Sequence, residues 1–186
     1  PVVNCTAGTA NAPAVVCSAA SGLSTIDLAS LLTGEDAGGT WTNANGTVGA
    51  ILDPNGVAAG VYTFTYTVVN GTCTDSETVT VRINQTPTFT VATNCTGTNG
   101  TVTVTPTSTG TYEYSFNGAA FTSTNVSGPY ADGSTVNIVV RDVNTLCSAN
   151  LLDYPVNCTC PTYNPTVTAT LNGNPVSLGS LAAGIC

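Results

Sequence analysis

The chain has 186 residues, of which two are basic and ten are acidic, giving a formal net charge of −8. With so few basic residues and no basic cluster, the composition argues against a nucleic-acid-binding protein and against attraction to an anionic membrane surface. Because 42% of the residues are hydrophobic, we expect the chain to fold rather than stay disordered, into one or two small domains.

Alternation of apolar and polar residues predicts β-strands along most of the chain. Only residues 24–32 (STIDLASLL) have the composition of a helix, and this segment is short, so the pattern predicts an all-β fold. Five runs place apolar residues on one face, with mainly threonine on the other. The predicted inward residues are Tyr62, Phe64, Tyr66 and Val68; Val79, Val81 and Ile83; Val102 and Val104; Tyr112, Tyr114 and Phe116; and Val136, Ile138 and Val140.

Asn-Gly pairs between these runs predict tight turns, because both residue types tolerate the positive φ angles that such turns require. Asn70-Gly71 and Asn117-Gly118 lie directly between apolar runs and therefore predict two β-hairpins. Many short strands with turns roughly every 8–12 residues are typical of β-sandwiches and barrels.

The chain nearly repeats its first residues close to its end, as PVVNCTA at residues 1–7 and YPVNCTC at residues 154–160. Such repetition is typical of tandem arrays, and we expect the chain to be a processed chain or a window on a longer one. The predicted segments are the end of a preceding module (1–7), a first sandwich (8–85), a second sandwich (86–160) and the beginning of a further module (161–186).

Eight cysteines, in a chain without histidine or lysine, predict an oxidising compartment, since cytosolic thiols stay reduced. We therefore expect an extracellular protein. The chain does not begin with a basic segment followed by an apolar run, and no stretch approaches the ~18 apolar residues of a membrane span.

Spacing alone does not select one pairing of the eight cysteines. Cys17 and Cys73 flank the first predicted core, and Cys95 and Cys147 flank the second, so these are the two disulfides that we expect. Cys160 and Cys186 bracket the last segment and form a third candidate pair. Cys5 and Cys158 stay as inter-module or unassigned cysteines.

Two stretches carry a family resemblance. Residues 17–83, with the motifs DLASLL, GGTW, LDP and AGVYTFTY, resemble the immunoglobulin-like repeats of very large secreted surface proteins of Bacteroidota. Residues 93–149 are similar to the SprB-type repeat of gliding-motility adhesins, although STGTYEYS stands where a Gly-Gly-x-x-Pro-Tyr turn is common. The resemblance implies tandem immunoglobulin-like sandwiches, type IX secretion, display on the cell surface and an adhesive or fibrous role.

Trp41 is the one tryptophan of the chain, and it has two interpretations. An exposed ring would be able to stack on a sugar, as in carbohydrate-binding modules. The favoured interpretation is a core tryptophan packed against a Cys17–Cys73 bridge, as in immunoglobulin-type sandwiches.

The other polar clusters do not form a recognisable site. We expect Glu35-Asp36 and the Asp75/Glu77 pair to lie on the solvated surface, because facing catalytic carboxylates or a D-x-D-x-D-G calcium loop would need other spacings. A zinc site at Cys158 to Cys160 lacks further ligands. Without histidine or lysine a nucleophilic serine or cysteine has no usual general base, so we expect no enzyme, no cofactor and no bound metal.

Two functions follow as alternatives. The first is a non-catalytic structural and adhesive repeat of a long extracellular filament, whose partners are neighbouring modules or identical subunits and possible surface glycans. The second is a carbohydrate-binding accessory module of a secreted enzyme, which requires an exposed Trp41 or a tyrosine cluster near Tyr112 and Tyr114.

Overall fold

A computed structural model describes residues 4–18 and 22–158, with the backbone of two further short strands. Over these residues the chain is all-β, as predicted. The strands are β1 (Thr9–Ala10), β2 (Ala14–Cys17), β3 (Ile26–Asp27), β4 (Leu32–Thr33), β5 (Thr40–Asn43), β6 (Gly46–Val48), β7 (Ile51–Leu52), β8 (Gly60–Asn70), β9 (Cys73–Asn84), β10 (Phe89–Thr96), β11 (Asn99–Pro106), β12 (Tyr112–Phe116), β13 (Tyr130–Ala131), β14 (Thr135–Asp142), β15 (Ser148–Pro155), β16 (Thr168–Leu171) and β17 (Asn174–Ser177).

The segment with helical composition is helical over one turn only. A 3-10 helix runs over Leu28–Leu31, and the Asp27 side chain caps it by accepting a hydrogen bond from the Ala29 N–H. Leu28 and Leu31 are buried, so this turn contributes apolar side chains to a core that is otherwise made of strands.

The described residues form two compact units. Unit 1 comprises the described parts of Pro1–Thr88, together with Ser108–Tyr112 and Arg141–Ala149. Unit 2 comprises the described parts of Phe89–Thr107, Glu113–Val140 and Asn150–Cys186. The predicted boundary after residue 85 lies near the first of these divisions, but the sequence pattern did not indicate that two later segments belong to unit 1.

Unit 1 is built on a five-stranded sheet of order β2-β9-β8-β5-β6. The antiparallel β8–β9 hairpin pairs from Gly60 with Ile83 to Asn70 with Cys73, and Gly71 has a φ of 60°. The hairpin predicted at Asn70-Gly71 is therefore confirmed. Its predicted inward residues pack with the leucines around the 3-10 helix. The core includes Ala7, Leu28, Leu31, Leu32, Trp41, Phe64, Tyr66, Val68, Val79, Val81 and Ile83.

Strands β10 to β15 form two three-stranded sheets, β10-β11-β13 and β12-β14-β15, and β16 pairs with β17. The second predicted hairpin is confirmed as well, because Asn117 and Gly118 both have positive φ (51° and 75°) and Tyr114 pairs with Thr122 beyond the turn. The alternating aliphatic residues of β11 and β14 face inward as predicted. The buried residues of unit 2 include Val102, Val104, Tyr114, Val136, Ile138, Val140 and Val156.

Three disulfides join Cys5 to Cys73, Cys17 to Cys147, and Cys95 to Cys158. This corrects the predicted Cys17–Cys73 and Cys95–Cys147 bridges. It also corrects the assignment of Cys5 and Cys158 as inter-module or unassigned cysteines, since both have partners within one unit. Cys160 and Cys186 lie outside the described residues.

The register of β2 explains why Cys17 does not reach Cys73. β2 runs parallel to β9 and places Cys17 beside Asn84, whereas Cys73 begins β9 at its other end. Eleven strand residues separate these ends, roughly 36 Å, and a disulfide needs α-carbons within about 7 Å.

Cys95 has a different neighbour because the chain after β15 returns to the β10–β11 hairpin. Cys158 donates its backbone N–H to Asp132 at 2.6 Å. Its sulfur lies where a β-carbon on Gly100 would be 2.8 Å away, and Gly100 is the cross-strand partner of Cys95. Glycine at residue 100 therefore leaves the space that the bridge occupies.

We expect non-reducing peptide mapping by mass spectrometry to recover the three bridged pairs of the structure. Replacing the first bridge, as Cys5→Ala with Cys73→Ala, should lower the free energy of unfolding of unit 1 by about 4 kcal/mol, since a loop of this length closes at that entropic cost. A Cys17–Cys73 peptide in the oxidised chain, or an unchanged unfolding midpoint in the double variant, would contradict this assignment.

Candidate functional site

Trp41, the strongest sequence candidate for ligand contact, is part of the core of unit 1. It lies on β5 opposite Tyr66 of β8 and Val48 of β6. The rings of Trp41 and Tyr66 have centroids 4.9 Å apart at 41°, and the two residues are only 5% and 7% exposed. The cysteine bridge expected beside Trp41 is not formed, so an aromatic neighbour takes that packing role.

The Tyr66 hydroxyl fixes the loop before β5. It donates to the Asp36 carbonyl at 2.8 Å and accepts from the Gly39 N–H at 2.8 Å. A β-carbon on Gly39 would lie 2.4 Å from the Tyr66 ring. Glycine in the GGTW motif therefore permits the loop to cross the aromatic ring at contact distance.

A pocket of about 360 Å³ opens beside this aromatic pair. Its lining is mostly small or aromatic, with one carboxylate, from Ala29, Glu35, Ala37, Gly39, Trp41, Ala50 and Tyr66. Sugar-stacking sites present an aromatic face to solvent, whereas the rings of Trp41 and Tyr66 are both buried. The burial of Trp41 therefore counts against the carbohydrate-binding alternative.

Neither of the two tyrosines named for that alternative is fully exposed to solvent. Tyr114 is buried in unit 2. In unit 1 the half-buried Tyr112 shares a 2.7 Å hydrogen bond between its hydroxyl and the Ser108 hydroxyl.

Two acidic residues assigned to the solvated surface hold the N-terminal segment in place. Asp36 accepts from the Thr6 N–H at 2.9 Å and donates its own N–H to the Thr6 carbonyl at 2.9 Å. Asp75 accepts from the N–H of the buried Ala7 at 2.8 Å. Asp36 and Asp75 are both exposed, as predicted. Their hydrogen-bond partners are distant in sequence, so no local pattern predicts these contacts.

The described residues contain no group of three or more histidine, cysteine, aspartate or glutamate side chains able to hold a metal ion. Among the same residues, every buried side-chain nitrogen or oxygen has a hydrogen-bond partner. The described part of the chain therefore offers no orphaned polar group of the kind that marks a ligand or catalytic site.

Asp142, at the end of β14, accepts four hydrogen bonds, and sequence reasoning did not single it out. It is 7% exposed. Its oxygens accept from the Asn144 N–H (3.0 Å), the Thr145 N–H (2.8 Å), the Thr145 hydroxyl (3.1 Å) and the Thr111 N–H (3.3 Å). Burial raises the pKa of Asp142, but these hydrogen bonds outweigh it and lower the pKa below the ordinary 3.8.

This cap organises the loop that carries Cys147. The backbone N–H of Asp142 donates to the Cys147 carbonyl, and the Leu146 N–H donates to the Asp142 carbonyl, both at 2.9 Å. Leu146 has a φ of 59°, a conformation that costs energy for a bulky residue. The Asp142 hydrogen bonds offset that cost and hold Cys147 in place for its bridge to Cys17.

The outer face of the five-stranded sheet is a grid of hydroxyl groups. Thr65 lies between Thr42 of β5 and Thr78 of β9, and Thr67 lies between Thr40 and Ser76. Cross-strand hydroxyls meet at 3.4 Å (Thr65 with Thr78) and 3.0 Å (Thr67 with Ser76). The remaining members of the grid are Thr47, Thr63 and Thr80. These residues form three adjacent cross-strand rows that are polar and contain no charged side chain.

Comparison with known proteins does not assign a family. No protein-family model matches the chain, and no curated protein shows significant similarity to it. None of the helices that the structure describes has the length and hydropathy needed to span a membrane. The three disulfides indicate an oxidising, extracellular environment.

Asp142→Asn should destabilise the folded chain by about 2 kcal/mol at neutral pH, because an amide NH₂ would face backbone donors where the carboxylate now accepts. Since the folded-state pKa of Asp142 is lowered, its stabilisation is present above pH 3.8 and is lost as the pH falls through the lower folded value. The difference between wild-type and variant unfolding free energies, measured by urea denaturation from pH 7 to pH 2, should therefore shrink on acidification.

Asp153→Asn is the matched control, because Asp153 is exposed and its φ of 54° suits asparagine equally well. It should leave the unfolding free energy unchanged within about 0.5 kcal/mol. An equal effect of both variants, or a difference that grows on acidification, would refute the assigned role of Asp142.

Proposed function

We propose that the chain is a non-catalytic structural and adhesive segment of a long extracellular filament or surface adhesin, made of tandem immunoglobulin-like β-sandwich modules. The observation that carries this proposal is the arrangement of the three disulfides, which shortens the covalent path through both units. The resemblance of residues 17–83 and 93–149 to repeats of surface adhesins adds the cellular setting, including type IX secretion and gliding motility in Bacteroidota.

The bridges bypass most of the chain between Cys5 and Cys158. A pull applied at these two residues passes from Cys5 directly to Cys73, along β9 to Cys95, and directly to Cys158. The shortest covalent path between them therefore runs through the residues from Cys73 to Cys95, and the Cys17–Cys147 bridge closes a parallel path of similar length through residues 5–17 and 147–158. A segment linked in this way transmits tension without releasing its long loops, as a load-bearing filament requires.

The third bridge, Cys17–Cys147, joins the two loops that the other two bridges close. Cys17 lies within the loop closed by Cys5–Cys73, and Cys147 lies within the loop closed by Cys95–Cys158. Its sequence separation of 130 residues makes it the longest-range constraint in the described chain. Disulfides also supply stiffening that lysine-dependent isopeptide bonds would otherwise supply, because the chain contains no lysine.

The surface chemistry supports a role among neighbouring modules or subunits. Charged residues make up only 6% of the chain, far below the share of about 25–35% that is common on the surface of small soluble domains. The uncharged hydroxyl grid of unit 1 is polar enough to face water and carries no charge that would need desolvation against a neighbour. These properties favour an assembled chain over a dispersed one.

A non-catalytic role is supported by the residue inventory. The sequence contains no histidine and no lysine, which are the usual bases that activate serine or cysteine nucleophiles. Function on this proposal lies in length, stiffness and repeated surface contacts.

Immunogold electron microscopy with antibodies raised against the purified chain tests the proposal directly. We expect label along extended surface fibres of the cells that produce the protein, and loss of those fibres and of surface attachment when the coding region is deleted. Label confined to the medium as dispersed monomer, with no repeated modules in the surrounding coding sequence, would overturn the proposal.

A further inference from the structure

The long edge strand β10 differs from every other sheet edge of the described chain. It runs over eight residues and pairs in unbroken register with β11 on one side, from Phe89 with Pro106 to Thr96 with Asn99. Within the described residues no strand pairs with its other side. Alternate N–H and C=O groups along this side are therefore positioned to pair with a further strand.

The remaining edges are short or interrupted. Edge strands β2, β6 and β13 have four, three and two residues. β12 has five residues and carries Glu113, and its Tyr114 is bridged to Thr122. β15 is as long as β10, but Asp153 within it has a positive φ of 54° and its last residue is Pro155. Shortness, charge, bends and proline are the means by which edges resist pairing.

None of these protections occurs on β10. Its sequence, FTVATNCT, contains no proline, no glycine and no charged residue, and none of its residues has positive φ. Thr90, Ala92 and Asn94 are exposed, while Phe89, Val91 and Thr93 are half-buried, so the strand has the regular alternation of a paired strand. Its backbone is regular and extended, so another strand is able to pair with it along its open side.

The charge distribution also favours approach at this edge. The whole chain carries a net charge of −8, so two copies repel each other at most orientations. Between Arg82 and Glu113, however, the sequence contains no charged residue, and the β10–β11 hairpin lies entirely inside this stretch. Two copies that meet at β10 therefore bring together strands that carry no charged residue of their own.

We propose that β10 pairs with β10 of a second copy of this chain, antiparallel about a two-fold axis, so that two β10-β11-β13 sheets join into one. The choice of partner follows from the edges themselves. Among the described strands, β10 is the one long edge without an obstacle, so the edge best able to complement it is another β10. A two-fold axis makes such a contact self-complementary and closed.

This interaction goes beyond the proposed filament function and does not depend on it. Filaments would be able to form from covalent repeats alone, and a β10 pair would then join two filaments side by side. A purified chain tests the pairing in solution, whereas the filament proposal is tested on cells, so the two can fail separately.

The experiment uses the full oxidised chain and compares Ala92→Lys with Thr105→Lys. Ala92 is exposed at the middle of the open edge. Thr105 is exposed on the neighbouring strand, where it pairs with Thr90 on the same face of the sheet. Each variant adds one lysine to one face of one hairpin, but only Ala92→Lys places it at the edge, where lysine opposes pairing.

Sedimentation equilibrium of the wild-type chain over a range from micromolar to millimolar should show a monomer–dimer equilibrium. Hydrogen exchange should slow in β10 as concentration rises, because amides on the open edge become paired. Ala92→Lys should raise the dimer dissociation constant by about tenfold or more, since like charges opposed across paired strands are destabilising, while Thr105→Lys should change it less than about threefold.

Three results would overturn the proposal. They are a wild-type chain that stays monomeric to millimolar concentration, a dimer whose slowed amides lie outside β10, and equal weakening by both lysine variants. Circular dichroism and urea unfolding of each variant establish that a lost dimer reflects the edge and not a lost fold.

Discussion

The disulfide framework is the constraint on which the rest of the structure depends. Units of this size bury a small core, and below about 100 residues the core alone leaves a narrow margin of stability. The described residues offer no metal cluster to add to it, and the sequence supplies only two basic residues for ion pairs. The three disulfides close loops with sequence separations of 63, 68 and 130 residues. These loops lower the conformational entropy of the unfolded chain and so stabilise the folded state.

Hydrogen bonds from backbone N–H groups to carboxylates hold several segments of the chain in place. Asp36 and Asp75 anchor the segment that carries Cys5, and Asp142 organises the loop that carries Cys147. At Asp53, hydrogen bonds from the Asn55 backbone and side chain lower the pKa of the carboxyl group. These acidic side chains thus accept hydrogen bonds from backbone N–H groups. The Asp36/Asp75 and Asp142 sites each hold a segment that carries a disulfide-bonded cysteine.

Local sequence patterns predicted the strands well because their information is local. Alternation identified the inward faces of β8, β9, β11 and β14, and Asn-Gly pairs identified two hairpins. The partners of the cysteines depend instead on which strands become neighbours and in which direction they run. Cys17 meets the far end of β9 because β2 is parallel to it, and no pattern in either strand specifies that orientation.

The same limit applied to the candidate site. Trp41 was expected in a core beside a cysteine bridge, and burial follows from its place in an alternating strand. Its actual neighbour, Tyr66, is set by the register of β5 on β8. Asp142 accepts three hydrogen bonds from Asn144 and Thr145, within three residues, and a fourth from Thr111, 31 residues away. A rule that considers only composition treats Asp142 as one more surface acid and misses this role.

Single-molecule force spectroscopy tests the central claim that disulfides carry tension through the chain. In the oxidised chain, the segment between Cys5 and Cys158 should lengthen to no more than about 75 Å, because the shortest covalent path between them crosses two bridges and the residues from Cys73 to Cys95, at about 3.4 Å each. With a reductant present, the same segment should extend to about 520 Å. An oxidised chain that releases several hundred ångströms at the force that unfolds the reduced chain would contradict the account.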